Sequence, residues 1–171
     1  MEPFEALSLC AEIAIAITGF SGVVLVLGER HGGESTEVDR MLFRMLFTAS
    51  LIPLGIIAVA FILDASTFEH PAIWRTCSII HLLAVSAVWM FNYHANRRAH
   101  SAEGETKAFR FFVRRRGGAV LSTCALVVMG LQLANAINLH SFWPVLVAIW
   151  WAIAVSLVAF VGLLFSARTS P

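Results

Sequence analysis

Residues 119–165 read AVLSTCALVVMGLQLANAINLHSFWPVLVAIWWAIAVSLVAFVGLLF and contain no Asp, Glu, Lys or Arg. His140 and Ser141 divide this stretch into two apolar runs, 119–139 and 142–165. A helix needs about 20 apolar residues to cross the hydrocarbon core of a bilayer, so each run is long enough to span it. A two-residue connection forces the pair into a tight antiparallel hairpin, with Pro144 in the first turn of the second helix, where a missing N–H is tolerated.

The same reading extends outward to residues 6–27, 41–63 and 73–93, which gives five spans in 171 residues. Hydrophobic residues make up 58% of the chain and charged residues 13%, about half the charged share of a soluble domain. Mean hydropathy is +0.79. None of the five runs alternates apolar with polar residues, so a membrane β-barrel is excluded. The expected fold is an all-α, five-helix transmembrane bundle forming a single domain over residues 1–171.

The cations orient it. Arg30, Arg40 and Arg44 flank the first connection, while Arg97, Arg98, Lys107, Arg110, Arg114, Arg115 and Arg116 crowd the third, and Arg168 follows the last span. With five spans all eleven fall on one side, and the opposite side holds only Arg75. The positive-inside rule then puts the N-terminus outside and the C-terminus in the cytoplasm. Four or six spans would scatter these charges. Eleven Arg to one Lys, with abundant Ala, points to a GC-rich bacterial genome and hence to the bacterial inner membrane.

The N-terminal segment Met1-Glu2-Pro3-Phe4-Glu5 has no basic residue, and the run after it is too long for a signal peptide, so the first span is expected to stay attached. Cys10, Cys77 and Cys124 fall inside spans, where they read as small core residues. The longest connection, 96–118, is too short to build a core of its own, so an enzyme with an aqueous catalytic domain is not expected. Internal repeats are not visible, and five spans do not divide into equal inverted halves.

Among the connections, His31-Gly32-Gly33 turns the chain and Thr36 with Asp39 resembles a capping box for the second helix. Arg40 and Arg44, one turn apart, read as side chains snorkelling to headgroups. Residues 108–116 interleave aromatic and basic side chains just before the fourth span. Arg110, Arg114, Arg115 and Arg116 are expected to bind anionic lipid headgroups, each cation contributing about 1 kcal/mol. Nucleic acid is not an expected partner.

Within the spans, helix one divides into a bulky side (Leu9, Ile13, Ile17, Phe20, Val24) and an arc of small and polar residues (Glu5, Ser8, Ala11, Glu12, Ala14, Ala16, Thr18, Gly19, Ser21, Gly22). The small arc is expected to be its packing face. Ala148, Ala152 and Ser156 repeat the small-xxx-small device on the fifth span, and together these surfaces suggest a homo-oligomer.

Glu12 is the most telling residue, because a carboxylate in hydrocarbon must be paired, protonated or wet. At about 1.5 Å per residue it lies roughly 9 Å below the outer boundary, with His81 about 12 Å, Gln132 about 10 Å and Asn135 about 6 Å deep. Gln132, Asn135 and Asn138 recur every three residues as a slowly turning stripe. Glu12, His81, Gln132 and Asn135 are therefore expected to form one ion or proton site, in which the acid and imidazole exchange a proton or coordinate a cation and the amides orient them; the alternative is a satisfied polar knot that locks three helices. Thr18, Gly19, Gly22, Ser86 and Asn92 are candidates to line a path toward the cytoplasm.

His81 and His94, thirteen residues apart on one helix, resemble the haem-ligand spacing of membrane cytochromes b. The resemblance covers those two residues and lacks a second helix with a matching pair, so haem is a minor alternative and no cofactor is expected. Asp64, Glu69, His70 and His140 have no regular ligand spacing, and no metal is expected. The five-span plan is similar to that of tryptophan-rich sensory proteins, but their Trp-Pro-Pro motifs are missing. Trp74 and Trp143 read as an outer aromatic belt, Trp89 falls in the inner half of the third span, and Trp150 and Trp151 read as interface filler or the wall of a pocket. The function expected from the sequence is an oligomeric ion or proton channel or small transporter. A non-transporting accessory or effector protein and a membrane redox protein are the alternatives.

Overall fold

The computed structural model describes residues 2–30, 37–99 and 117–169, with side chains for 2–20, 22–23, 44–91 and 120–161. Among these residues there are five helices: α1 (Pro3–Arg30), α2 (Glu37–Ala65), α3 (His70–Ala99), α4 (Gly117–Ala134) and α5 (Phe142–Thr169). A π-helical turn, Asn135–Leu139, continues α4. Each of the five, α4 together with its π turn, is long and apolar enough to cross a membrane. α1, with 28 residues, is about 42 Å long and outruns a hydrocarbon core of about 30 Å. The architecture is all-helical and has the element lengths of a multi-pass membrane protein.

Four of the helices pack around α5, and α2 shares with it the most extensive seam. α1 packs against α2 and α5, whereas α4 packs against α3 and α5, so α1 and α4 occupy opposite flanks. The α2–α5 seam follows from small side chains at four-residue spacing. Ala148 and Ser156 are buried, Ala152 half-buried, and Ser50 of α2 donates to Ser156 Oγ at 3.2 Å. The small-residue stripe of the fifth span is thus used inside the chain, where small residues let two backbones approach. Pro53 lies buried on α2 between Ser50 and Ile56; lacking an N–H, it leaves the carbonyl of Ala49 without its usual intrahelical donor.

The main core lies toward one end of the bundle, which carries the N-terminus, the α2–α3 loop and the α4–α5 turn. Ala6, Leu7 and Cys10 of α1 meet Ile56, Ile57 and Ala60 of α2, Ile73, Trp74 and Cys77 of α3, and Val145, Leu146, Ile149 and Ile153 of α5. Cys10 and Cys77 are buried and Cys124 is half-buried, all as free thiols. Aromatic rings close this end. Phe4 packs at 5.4 Å from Phe61 and 5.7 Å from Trp74, which in turn lies 5.1 Å from Phe142. Trp74 is only 5% exposed, so it is a core residue and not part of an interfacial belt, whereas Trp143 is 68% exposed as a belt residue requires. Trp89 and Trp150 also face outward, and Trp151 is half-buried.

α1 packs through only part of its expected face. Its buried stripe is Ala6, Leu7, Cys10 and Ala14, while Glu5, Ser8, Glu12, Ala16 and Gly19 face out of the bundle. The reason is the flank position. Bulky isoleucines project from α2 and α5, so α1 meets them through Ala6, Leu7 and Cys10 with Ala11, Ile13 and Ile17 packed at the margin, while Glu5, Ser8, Glu12, Ala16 and Gly19 are exposed among the described residues.

The α2–α3 loop ends α2 with a Schellman-type closure: Phe68 N–H donates to the Leu63 carbonyl at 3.3 Å and Thr67 N–H to that of Asp64 at 3.0 Å. Thr67 takes φ 61°, a left-handed conformation that a β-branched residue adopts only under strain. His31-Gly32-Gly33, Thr36 and the segment 108–116 with Arg110, Arg114, Arg115 and Arg116 lie outside the described residues, as do the side chains of Asp39, Arg40, Asn92 and His94.

Candidate functional site

Asn135 begins the π turn and ties three segments together. Its side-chain oxygen accepts from the Ser141 N–H at 2.8 Å, and its side-chain NH2 donates to Ser78 Oγ of α3 at 2.7 Å. A backbone N–H can only donate, which fixes the orientation of this amide. Its carbonyl accepts from the His140 N–H at 3.1 Å, closing the π turn, while His140 itself turns left-handed at φ 47° and ψ 39°. The hairpin therefore turns on one fully buried asparagine, and π turns within helices often mark functional positions.

One turn earlier on α4, Gln132 donates its side-chain NH2 to the carbonyl of Pro144 in α5. A carbonyl only accepts, so the atom left over is Oε1, which is buried and has no hydrogen-bond partner. His81 stands one turn beyond Ser78 on α3, 4% exposed, and its Nδ1 is likewise buried without a partner. α3 and α4 run antiparallel and touch at Ser78 and Asn135, so three residues onward on α3 and three back on α4 both lead about 4.5 Å deeper. His81 and Gln132 thus stand at one level on adjacent helices, each with an unsatisfied polar atom.

The Ser78–Asn135 hydrogen bond puts His81, Gln132 and Asn135 within one turn of a single α3–α4 contact, while Glu12 is exposed on α1. Counting from Phe4, whose ring packs near those of His70 and Trp74, Glu12 does reach about the depth of His81. It faces outward, however, on the helix whose flank is opposite α4. Depth along an axis was readable from sequence; azimuth was not. Asn138 also faces outward, because at about 100° per residue each three-residue step turns the stripe some 60° further.

Of the suggested lining residues, Asn92 lies outside the described side chains. Thr18 donates its hydroxyl to the Ala14 carbonyl of its own helix at 2.7 Å, Gly19 and Ser86 are exposed, and Gly22 is half-buried. A Cβ placed on Gly19 or Gly22 would meet nothing within 4 Å. Arg44, at the other end of the bundle, lies 5.6 Å from the centre of the Phe91 ring, a cation–π contact that holds the guanidinium against α3.

Ser78 was missed from the sequence, although its three-residue offset from His81 puts both on one face of α3. The partners Ser141 N–H and Pro144 C=O are backbone groups, which leave no signature in residue identity. His140 is half-buried, with its Nε2 buried and unpartnered. His70 Nε2 lies 3.6 Å from Asp64 Oδ1 at the surface. Among the described residues no three His, Cys, Asp or Glu side chains converge as metal ligands do.

Comparison with known proteins matches no family model, no curated protein and no solved structure. The buried cluster is therefore read on its own chemistry. It offers one imidazole that can gain or lose a proton and one carbonyl-type oxygen that can accept a hydrogen bond, in a neutral, apolar setting.

Proposed function

We propose that this chain is a multi-pass protein of the bacterial inner membrane, N-terminus outside and C-terminus cytoplasmic, that moves protons across the bilayer with His81 as the proton-carrying group. Gln132, Asn135 and Ser78 hold the surrounding helices and hydrogen bonds in register. The observation that carries this reading is the pair of buried, unpartnered atoms, His81 Nδ1 and Gln132 Oε1, facing each other's level across α3 and α4. An ionisable side chain inside a membrane bundle is costly, and an imidazole can take up and release a proton where the neighbouring amides and hydroxyls cannot. Protons fit better than metal ions, because the buried polar side chains among the described residues are serines, amides and one histidine, with no carboxylate to compensate a fixed charge.

A second reading has its own observation. The outward face of α1 places Glu12 in the apolar layer between Ser8 and Ala16, with open space over Gly19. A membrane accessory protein, or one copy of an oligomer, would bury that face against another helix. Proton flux into liposomes separates the two. The transport reading expects wild-type protein to acidify vesicles under a pH gradient and His81→Asn to lose that flux while keeping its fold. Vesicles that remain tight with wild-type protein in both orientations would leave the accessory reading standing.

A further inference from the structure

We propose that the His81–Gln132 level is a binding site for one neutral hydrogen-bonding molecule, a single water, held between His81 Nδ1 and Gln132 Oε1. It concerns the same site as the proton-transfer reading and deepens it by naming the occupant. Both atoms are buried within side chains that are 4% and 0% exposed, and neither has a hydrogen-bond partner. Leaving two such atoms unmade in an apolar bundle is unfavourable, and native proteins pair or hydrate the great majority of them.

The polarity of the site selects the occupant. Because Gln132 commits its NH2 to Pro144, the free atom is an acceptor and the occupant must donate to it. His81 Nδ1 accepts from the occupant in one tautomer and donates to it in the other. Ser78, whose oxygen already accepts from Asn135, keeps its own hydroxyl proton to donate one turn away. An anion is disfavoured by the glutamine oxygen. A metal ion would find one imidazole and one amide oxygen, with no buried carboxylate among the described residues. Water can donate to the glutamine oxygen and either donate to or accept from the imidazole nitrogen, and buried waters typically make about three such bonds.

The test is solid-state NMR on the full chain, 15N-labelled at histidine, in lipid bilayers, with magnetisation transferred from water protons to the ring nitrogens. His81→Asn assigns the His81 signals. The expected result is transfer from a bound water to His81 Nδ1 that is lost in Gln132→Met, which keeps the side-chain length and removes the acceptor. Wild-type spectra with no such transfer, or with a direct His81–Gln132 hydrogen bond, would overturn the proposal whether or not Gln132→Met folds. Because this readout needs no gradient, a protein that shows the water and carries no flux retains the site and loses only the transport reading.

Discussion

Replacing Asn135 by Ala tests whether one buried amide closes the α4–α5 hairpin. The substitution removes the donor to Ser78 at 2.7 Å and the acceptor of the Ser141 N–H at 2.8 Å. Side-chain hydrogen bonds between membrane helices average about 0.6 kcal/mol and reach about 1.7, so the Ser78 bond contributes roughly 1 kcal/mol. The Ser141 N–H is half-buried and loses its acceptor, which adds about 1 kcal/mol, the low end of the range for a stranded donor. Asn135→Ala should therefore destabilise by about 2 kcal/mol, Ser78→Ala by about 1, and Asn138→Ala, on the exposed side, by less than about 0.5. Reversible unfolding in mixed micelles with increasing SDS would measure all three, and a double-mutant cycle should return coupling between Asn135 and Ser78 of about 0.5 to 1.5 kcal/mol. Equal losses for Asn135→Ala and Asn138→Ala, or no coupling in the cycle, would refute the geometry on which the site is built.

Thr67→Gly should stabilise the chain by up to about 1 kcal/mol in the same unfolding assay, because it relieves the left-handed strain at φ 61°; a loss of stability would mean the Thr67 side chain has a compensating role. Gly19→Leu should leave the monomer's unfolding midpoint unchanged, since a Cβ there meets nothing, while Ala152→Leu in the α2–α5 seam should cost about 1 to 3 kcal/mol. Dissociation of a light-scattering oligomer by Gly19→Leu alone would identify the outer face of α1 as a contact between copies, and a lowered midpoint in monomeric protein would show that face to be packed within the chain. Alkaline phosphatase fused after His140 or near His70 should be active and fusions within residues 101–107 inactive, and the reverse pattern would invert the proposed topology.

The polar cluster was partly legible for a physical reason. Rise per residue converts sequence position into depth, so His81, Gln132 and Asn135 could be grouped at one level before any packing was known. Their meeting also required azimuth, and here Glu12 and Asn138 separate from the other three. Periodicity divides a soluble helix into wet and dry faces, but in a membrane helix both faces are apolar, which weakens the signal that orients it. The small arc of α1 showed this ambiguity: Ala14 packs inside while Ala16 and Gly19 remain outside.

What the sequence determined alone was the class of the fold, the five membrane-length helices found among the described residues and the two-residue hairpin, because hydrocarbon thickness and the need to satisfy every backbone group leave few alternatives. The π turn at Asn135–Leu139, the left-handed His140 and the unpartnered atoms of His81 and Gln132 were decided only by tertiary structure. Which amide faces which backbone group depends on how helices from distant parts of the chain settle around α5. Placing α1 and α4 on opposite flanks of that helix put Glu12 on an outer face while Ser78 came within a hydrogen bond of Asn135. That choice of neighbours is a packing result, made by side-chain volumes across all five helices and carried by no single segment.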